Sequence, residues 1–487
     1  MTELILGLDQ GTSSTRCLAL DADLVVRGTA AIPVAASFPA PGWVQQDPQE
    51  LTASAREAVG GALEAAGARG DDVLAVGIAN QTETFVVSER SCGQAIHPAI
   101  VWQDRRSADR CAALVDAGHA EWVRARTGLE LDATFPATKL SWLLDRIAGA
   151  RAAAEGGELA YHDVAGWLLA DLCGVDVAEA SNAGRTLLCP LGGTDWDDAL
   201  LGLFGIPRAM LPPIVDSDRP LAAGASAALP VAGVLGDQQA SLFGLGCRRP
   251  GSGKVTLGTG AFILVQAGPT PPTPAPGVLA SGAWRMDGVT HFALEGFVPA
   301  AGAALSWLTE LGVVGTPDTL DALLADAGPE SGAVVCVPAL QGLGTPSWDA
   351  GARGALFGFT RATTRAEVVR AVIDGVLHQV ADALTAIRAS TAVDSLLVDG
   401  GLSRSDWVLT RLAELARVRA VRAARSEATA IGAAMMAGLA SGVWGSADAL
   451  PAPAVDLVAE PSWPEAQHEA ARERWARAVA LSAGWSE

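Results

Sequence analysis

Basic residues are scarce in this chain: 34 Lys and Arg stand against 54 Asp and Glu, a formal charge of −20 over 487 residues. Such an excess of one sign excludes a broad nucleic-acid or anionic-membrane surface, although local donors and a divalent cation still accommodate an anionic ligand such as ATP. Paired cysteines are missing as well. The seven cysteines (17, 92, 111, 173, 189, 247 and 336) are scattered, odd in number and without a CxxC spacing. That pattern excludes a zinc knuckle and a disulfide framework and leaves reduced, packed thiols. The start of the sequence lacks a basic n-region and a cleavage site, so no signal peptide is expected and the expected location is cytoplasmic. Long apolar runs are lacking too. Residues 428–447 are uncharged but are mostly Ala and Gly with Thr and Ser, a composition that predicts a tightly packed helix rather than a membrane span.

What the chain does have is bulk. Half of its residues are hydrophobic and only 18% are charged, as in a well-buried α/β enzyme, and 487 residues exceed what one core supports, so two large domains are expected. Residues 4–8 read as a buried strand, followed by the turn Asp9-Gln-Gly-Thr-Ser-Ser-Thr15 and by strands at 16–21 and 24–29. A turn so rich in amides and hydroxyls either cradles an anion or simply closes a hairpin. Asp47 is expected to cap a helix, with Pro48 at its first position and Glu50 closing a capping box. Residues 73–78 and 99–106 each carry an apolar strand into polar groups, Asn80-Gln-Thr-Glu-Thr84 in the first case, which is how ligand crevices in α/β sheets are built.

Residues 231–235 form a further apolar strand, Gly236 frees the backbone, and Asp237 stands at the turn into a helix, either as a helix cap or as an acid aimed into a cleft. Irregular stretches at 207–230 and 268–277 place a domain boundary near residue 246, giving domains 1–246 and 247–487. Residues 253–267 then repeat strand, Gly/Thr turn and strand, an echo of 4–20 that suggests a duplicated module. Thr364 and Glu367 form a capping box for a long helix, beside whose apolar face His378 is expected to pack. A strand at 395–398 runs into Asp399-Gly-Gly-Leu-Ser-Arg-Ser-Asp406, where paired glycines admit a flat ligand or make a plain turn before a helix from about Trp407.

Taken in order, these pieces resemble the FGGY family of carbohydrate kinases, and within it the glycerol kinases, over nearly the whole chain. The resemblance rests on Asp9-Gln-Gly-Thr-Ser-Ser-Thr15, Pro41-Gly-Trp-Val-Gln-Gln-Asp-Pro48, Asn80-Gln-Thr-Glu-Thr84, Ile100-Val-Trp-Gln-Asp-Arg-Arg106, Thr127-Gly-Leu129 with Thr138-Lys139, and Gly236-Asp-Gln-Gln239. It continues through Leu257-Gly-Thr-Gly-Ala-Phe262, Gly342-Leu-Gly-Thr-Pro-Ser-Trp-Asp349, Asp399-Gly-Gly401 and Glu427-Ala-Thr-Ala-Ile-Gly-Ala433. It implies an α/β fold of two duplicated RNase H-like (actin-like ATPase) domains with a cleft between them. The implied enzyme is an ATP-dependent phosphotransferase acting on a primary hydroxyl of a small polyol, glycerol to glycerol 3-phosphate. The alternative acceptors are a longer polyol (erythritol, a pentitol) or a ketopentose such as xylulose or ribulose.

In that family the acid matching Asp237 takes the proton of the attacking hydroxyl, and Asp9, with Asp237, is associated with Mg²⁺ largely through water. Thr12, Ser13, Arg16 and Thr259 are implied phosphate contacts. Gly302, Gly400 and Gly401, with Leu305, Ser306 and Ser405 nearby, are the implied adenosine site. Thr82, Glu83, Trp102, Thr134, Asp237, Gln238 and Phe262 are the implied polyol site. Here the chain departs from the pattern: the family has Arg where this chain has Thr82 and Tyr where it has Thr134, so the pocket is expected to be looser and larger. Between Val215 and Val231 it lacks the Gly- and Arg-bearing insertion with which some glycerol kinases bind fructose 1,6-bisphosphate, and no phosphorylatable histidine loop is evident, so neither control is expected. The expected partners are ATP and a small polyol or sugar, with no nucleic acid and no membrane; homodimer and homotetramer are both open. The rival of another class is a non-catalytic ATP-binding switch like actin or the heat-shock chaperones, which share the duplicated fold but lack the sugar-pocket acids and Trp.

Overall fold

The computed structural model describes residues 3–221, 229–315, 319–327, 334–424, 427–483 and 485. Residues 222–228, part of the stretch on which the expectation about fructose 1,6-bisphosphate rests, lie outside the described residues.

Two mixed sheets repeat one plan. In the first, Leu4–Gln10, Ser14–Leu20 and Val26–Pro33 form an antiparallel meander, and Val73–Asn80 and Val231–Gly236 are added in parallel on the other side of Leu4–Gln10. In the second, Ser252–Leu257, Ala261–Gly268 and Val289–Val298 take the meander positions and Ser395–Asp399 and Arg419–Ala423 the parallel ones, with Leu279–Met286 and Val455–Ala459 at the edges. The echo at 253–267 is the start of this second copy.

Two local readings are corrected. The third strand begins at Val26 rather than 24, because Asp21 Oδ1 accepts from the amides of Asp23 and Val25 at 3.0 and 2.9 Å and Leu24 turns to φ +59°. Asp47 caps helix Pro48–Ala66 as expected, but Glu50 closes no capping box; its Oε1 accepts from Ala35 N at 3.3 Å instead, tying the helix to the loop before it.

Alternate residues of a strand face opposite sides of a sheet. On one face of the first sheet Leu4, Leu6, Leu8, Cys17 and Ala19 pack with helices Pro48–Ala66 and Val164–Cys173. The other face, with Ile5, Leu18, Leu20, Ala75 and Ala79, shares a core with helices Asp237–Gly244 and Ala428–Ala440 and with Leu264, Ala283, Trp284 and Ala293 of the second sheet. These two helices are therefore clamped between the sheets. Glycine makes the approach possible: a Cβ on Gly7, Gly77 or Gly233 would overlap the backbone of Ala430, Ala433 or Ala437, and Gly244 and Gly432 bring the two helices together in the same way. The small residues at 428–447 thus serve packing; helix Ala428–Ala440 has 13 residues, and no described helix is long and apolar enough to cross a membrane.

The far face of the second sheet is covered by helix Arg365–Arg388, which carries the expected Thr364–Glu367 capping box. His378 on this helix is buried and stacks on Trp475 at 5.0 Å between ring centroids, a packing role as expected. A smaller sheet, ordered Gln45–Gln46, Ala99–Ile100, Phe85–Glu89 and Leu159–Asp163, carries the segments of Glu83 and Trp102, and Thr134 lies in the loop between helices Ala120–Thr127 and Pro136–Arg146.

Candidate active site

Neighbouring parallel strand ends bring the acids together. Asp9 lies opposite Ala79, and Gly236, the residue before Asp237, lies opposite Asn80. Asp237 is the first residue of its helix, behind an N-cap Gly236, and its Oδ1 accepts only from the adjacent Gln238 amide, at 2.7 Å. It is not a helix cap, so its carboxylate is not consumed by the helix start. Burial raises both pKa values. Asp9 is pushed up to about 7 by burial, then by the Asp237 carboxylate, with Arg16 opposing; Asp237 rises to about 6 by burial, then by the Glu83 carboxylate, with the Gln238 amide, Lys254 and Arg185 opposing. Two oxygen ligands that repel each other fit a hard divalent cation held mostly through water. Among the described residues, no group of three or more His, Cys, Asp or Glu side chains is placed for direct chelation.

The sign of the resulting pH dependence follows from linkage. A carboxyl whose folded pKa is raised contributes stability that is complete below its unfolded value, near 4, and is lost as pH rises through the folded value, about 7 for Asp9. Asp9→Asn, which stays neutral, is therefore expected to match the parent's thermal midpoint at pH 4 and exceed it by several degrees at pH 7 in a chelator. An equal gap at both pH values would show that Asp9 is not held in this way.

Beneath the first turn lies a polar network that consumes its carbonyls. Gly11 O accepts from Gln10 Nε2 at 2.9 Å and Gln81 Nε2 at 3.2 Å, Thr12 O from Gln46 Nε2 at 2.7 Å, and Ser13 O from Val34 N at 3.0 Å. With its acceptors occupied and Ser13 exposed, the turn is suited to an anion. Thr12 Oγ1 also accepts from Trp102 Nε1 at 3.0 Å, which joins the expected phosphate turn to the expected polyol site. Arg16 is paired with Glu427, at the start of helix Ala428–Ala440.

In the second half the turn carrying Thr259 docks on the start of helix Gly302–Glu310: Gly258 O accepts from Gly302 N at 2.8 Å, and Thr259 O from the amides of Ala301 and Ala303 at 2.9 and 3.0 Å. A Cβ on Gly302 would sit 2.6 Å from Gly258 O, so this docking requires glycine. On the same helix Leu305 is buried and Ser306 exposed. The two paired glycines differ. Gly400, at φ +91°, is packed against the backbone of Leu257, whereas a Cβ on Gly401 meets nothing within 4 Å, so Gly401 is where a flat ring has room. The Ser405 hydroxyl is committed to its own helix, accepting from Val408 N at 3.0 Å and pairing with Asp321.

Around the expected polyol site the structure adds three cations that the sequence reading did not single out as site residues. Arg185, just after a short helix at Ala180–Ala183, reaches Glu83 Oε1 through Nε at 2.6 Å and Glu295 of the second sheet through Nη1. Burial pulls its pKa down, but Glu295 and Glu83 outweigh this and hold it charged. Lys139, fully buried, donates to the carbonyls of Val101, Trp102 and Thr134 at 3.2, 3.4 and 2.7 Å and so fixes both loops of the site; burial lowers its pKa to about 7. Lys254, also buried, donates from the second sheet to Gln238 Oε1 at 2.8 Å, so that Gln238 presents its amide N–H groups onward. The side chain of Thr134 turns back on Asp132 Oδ1 at 2.6 Å, and Thr82 packs its methyl toward Gly236. Strand register puts Phe262 and Phe297 on the face of the second sheet that also carries Glu295, with ring centroids 4.9 Å apart.

Lys254→Met is expected to free the Gln238 amide to rotate and raise the KM for the acceptor about tenfold, with the KM for ATP unchanged, as steady-state kinetics would read. A parallel rise in both constants would place Lys254 outside this role.

Residues 4–244 match the N-terminal domain, and residues 253–441 the C-terminal domain, of the FGGY family of carbohydrate kinases. Glycerol kinase from Aromatoleum aromaticum is 45% identical over 491 residues, covering 99% of both chains. Glycerol kinase from Thermus brockianus is 43% identical, again over 99% of both. Among solved structures, Plasmodium falciparum glycerol kinase with ADP superposes with a TM-score of 0.94 at 24% identity, covering 99% of this chain and 98% of that one. A xyloylose kinase from Brucella ovis superposes with a TM-score of 0.89 at 28% identity and 98% coverage of both.

Proposed function

Because the chain belongs to the FGGY family of carbohydrate kinases and is an ATP-dependent phosphotransferase acting on an alcohol, we propose that the site built on Asp9 and Asp237 phosphorylates a primary hydroxyl of glycerol. The observation that carries this reading is the strand register: Asp9 and Asp237 stand at the ends of the two strands that flank Val73–Asn80 in parallel, and Glu83 follows the end of that middle strand. Asp237 accepts the hydroxyl proton as the oxygen attacks the terminal phosphoryl group, a transfer that needs positioning and charge neutralisation more than covalent chemistry. Glu83 accepts hydrogen bonds from the polyol, Gln238 donates to it, and Trp102 and Phe262 cover its carbon face. Thr12, Ser13 and Thr259 hold the phosphates from the two turns, Gly302 lets its helix dock on the turn that carries Thr259, and Gly401 leaves room for the adenosine. When bound with ATP, Mg²⁺ supplies charge neutralisation on the phosphate oxygens; Asp9 and Asp237 would hold it, largely through water.

A second reading keeps a specific support. Thr82 and Thr134 are both small, and the Thr134 hydroxyl is turned back on Asp132, which leaves room for a longer polyol or a ketopentose. An ATP-coupled assay against glycerol, erythritol, pentitols, xylulose and ribulose separates the two, with the highest kcat/KM expected for glycerol. Turnover of none of them would overturn the assignment.

A further inference from the structure

Thr82 leaves the polyol site without the guanidinium that the glycerol-kinase pattern places there, yet a guanidinium is present. Arg185 lies against Glu83, with Nε 2.6 Å from Glu83 Oε1, and is anchored from behind by Nη1 to the two oxygens of Glu295 at 2.6 and 2.5 Å. Glu295 is fixed in turn by the Ser281 hydroxyl. The Arg185 Cζ stands 5.4 Å from the centroid of the Phe135 ring, next to the Thr134 position where the pattern has its tyrosine. Two polar atoms remain unused by the described residues: Arg185 Nη2 and Glu83 Oε2 make no hydrogen bond, and neither is sealed from solvent. Glu83 follows the end of strand Val73–Asn80, which lies between the strands that present Asp9 and Asp237, and both Glu83 and Arg185 act electrostatically on Asp237, so the pair stands beside the proposed base.

We propose that Arg185 is a substrate-binding residue whose Nη2 donates to the polyol hydroxyl adjacent to the one being phosphorylated, while Glu83 Oε2 accepts from the same end of the polyol. The guanidinium absent at position 82 is thus supplied from a distant stretch of the chain. A guanidinium held by two carboxylates cannot retreat from a larger substrate, so the site keeps its preference for a three-carbon polyol although two of its walls are threonine. Because Glu295 belongs to the second sheet, the donor is oriented by the second half of the chain as well as by the first.

The proposal rests on the polyol-kinase reading above, and its test compares glycerol with propane-1,3-diol, which lacks the hydroxyl in question. Arg185→Lys keeps a charge between the two carboxylates but removes the forked donor. It is expected to raise the KM for glycerol about 10- to 100-fold, leave the KM for ATP within about twofold, and collapse the ratio of kcat/KM for glycerol over propane-1,3-diol toward one. In a second variant pair, Arg185→Met with Thr82→Arg is expected to recover at least about tenfold of what Arg185→Met alone loses. A glycerol-to-diol ratio unchanged in Arg185→Lys, with a folded protein by circular dichroism, overturns the proposal alone. A parent enzyme that turns over no polyol overturns the proposal and the reading beneath it together.

Discussion

Asp237→Asn is expected to lower kcat by about 10³-fold while ATP binds with near-parental affinity, measured by single-turnover kinetics and by calorimetry with a non-hydrolysable analogue. The reason lies in what the substitution leaves in place. Asparagine keeps the size of the side chain and can still accept from the Gln238 amide, so the turn behind Gly236 and the start of the helix persist. What disappears is the negative oxygen able to receive a proton, and with it one of the two carboxylates that fit the cation. Losing the charge also relieves Asp9, whose pKa is raised by burial and then by Asp237, and the variant should melt no lower than the parent. Retention of full turnover would remove Asp237 from the role of base.

Gly77→Val is expected to abolish folding, a destabilisation of more than about 3 kcal/mol, read as loss of soluble protein or a collapsed thermal midpoint. On propensity alone valine is the better strand residue. Packing decides otherwise, because any Cβ at Gly77 would overlap the Ala433 carbonyl of the helix lying across the sheet, and the obstacle is backbone rather than a movable side chain. Gly60 is the control: it sits within helix Pro48–Ala66 with nothing within 4 Å of a Cβ, and Gly60→Ala should stabilise by roughly 0.5–1 kcal/mol. A Gly77→Val protein that melts like the parent would mean that helix Ala428–Ala440 does not dock so closely.

Much of the fold was legible because its signals are local. The apolar run before Gly236, the Gly/Ser/Thr turn after Leu8 and the Thr364–Glu367 box each declare themselves within a few residues, and the echo of 4–20 in 253–267 announced the second sheet. What local spacing does not encode is partnership across the chain. Arg185 meets Glu83 and Glu295 at separations of 102 and 110 residues, and neither pairing leaves a trace at any short period. A weaker signal was there: Arg185 is the only charged residue between Glu179 and Asp195, and Lys254 the only one between Arg249 and Arg285. A lone charge in an apolar run is a side chain that burial forces to find a partner. Glu50 failed as a capping residue for the opposite reason, since a tertiary acceptor role toward Ala35 outcompeted the local one.

Helix Ala428–Ala440 also sets an order of manufacture. It covers a face of the first sheet whose strands begin at Leu4, yet it leaves the ribosome only after most of the chain has been made. The nascent first half therefore emerges with Ile5, Leu18, Leu20, Ala75 and Ala79 uncovered, and it waits for a late segment to finish it. Vectorial synthesis and final packing run out of step in this protein, so a chain stalled or nicked ahead of that helix presents an adhesive apolar surface rather than a self-sufficient fragment.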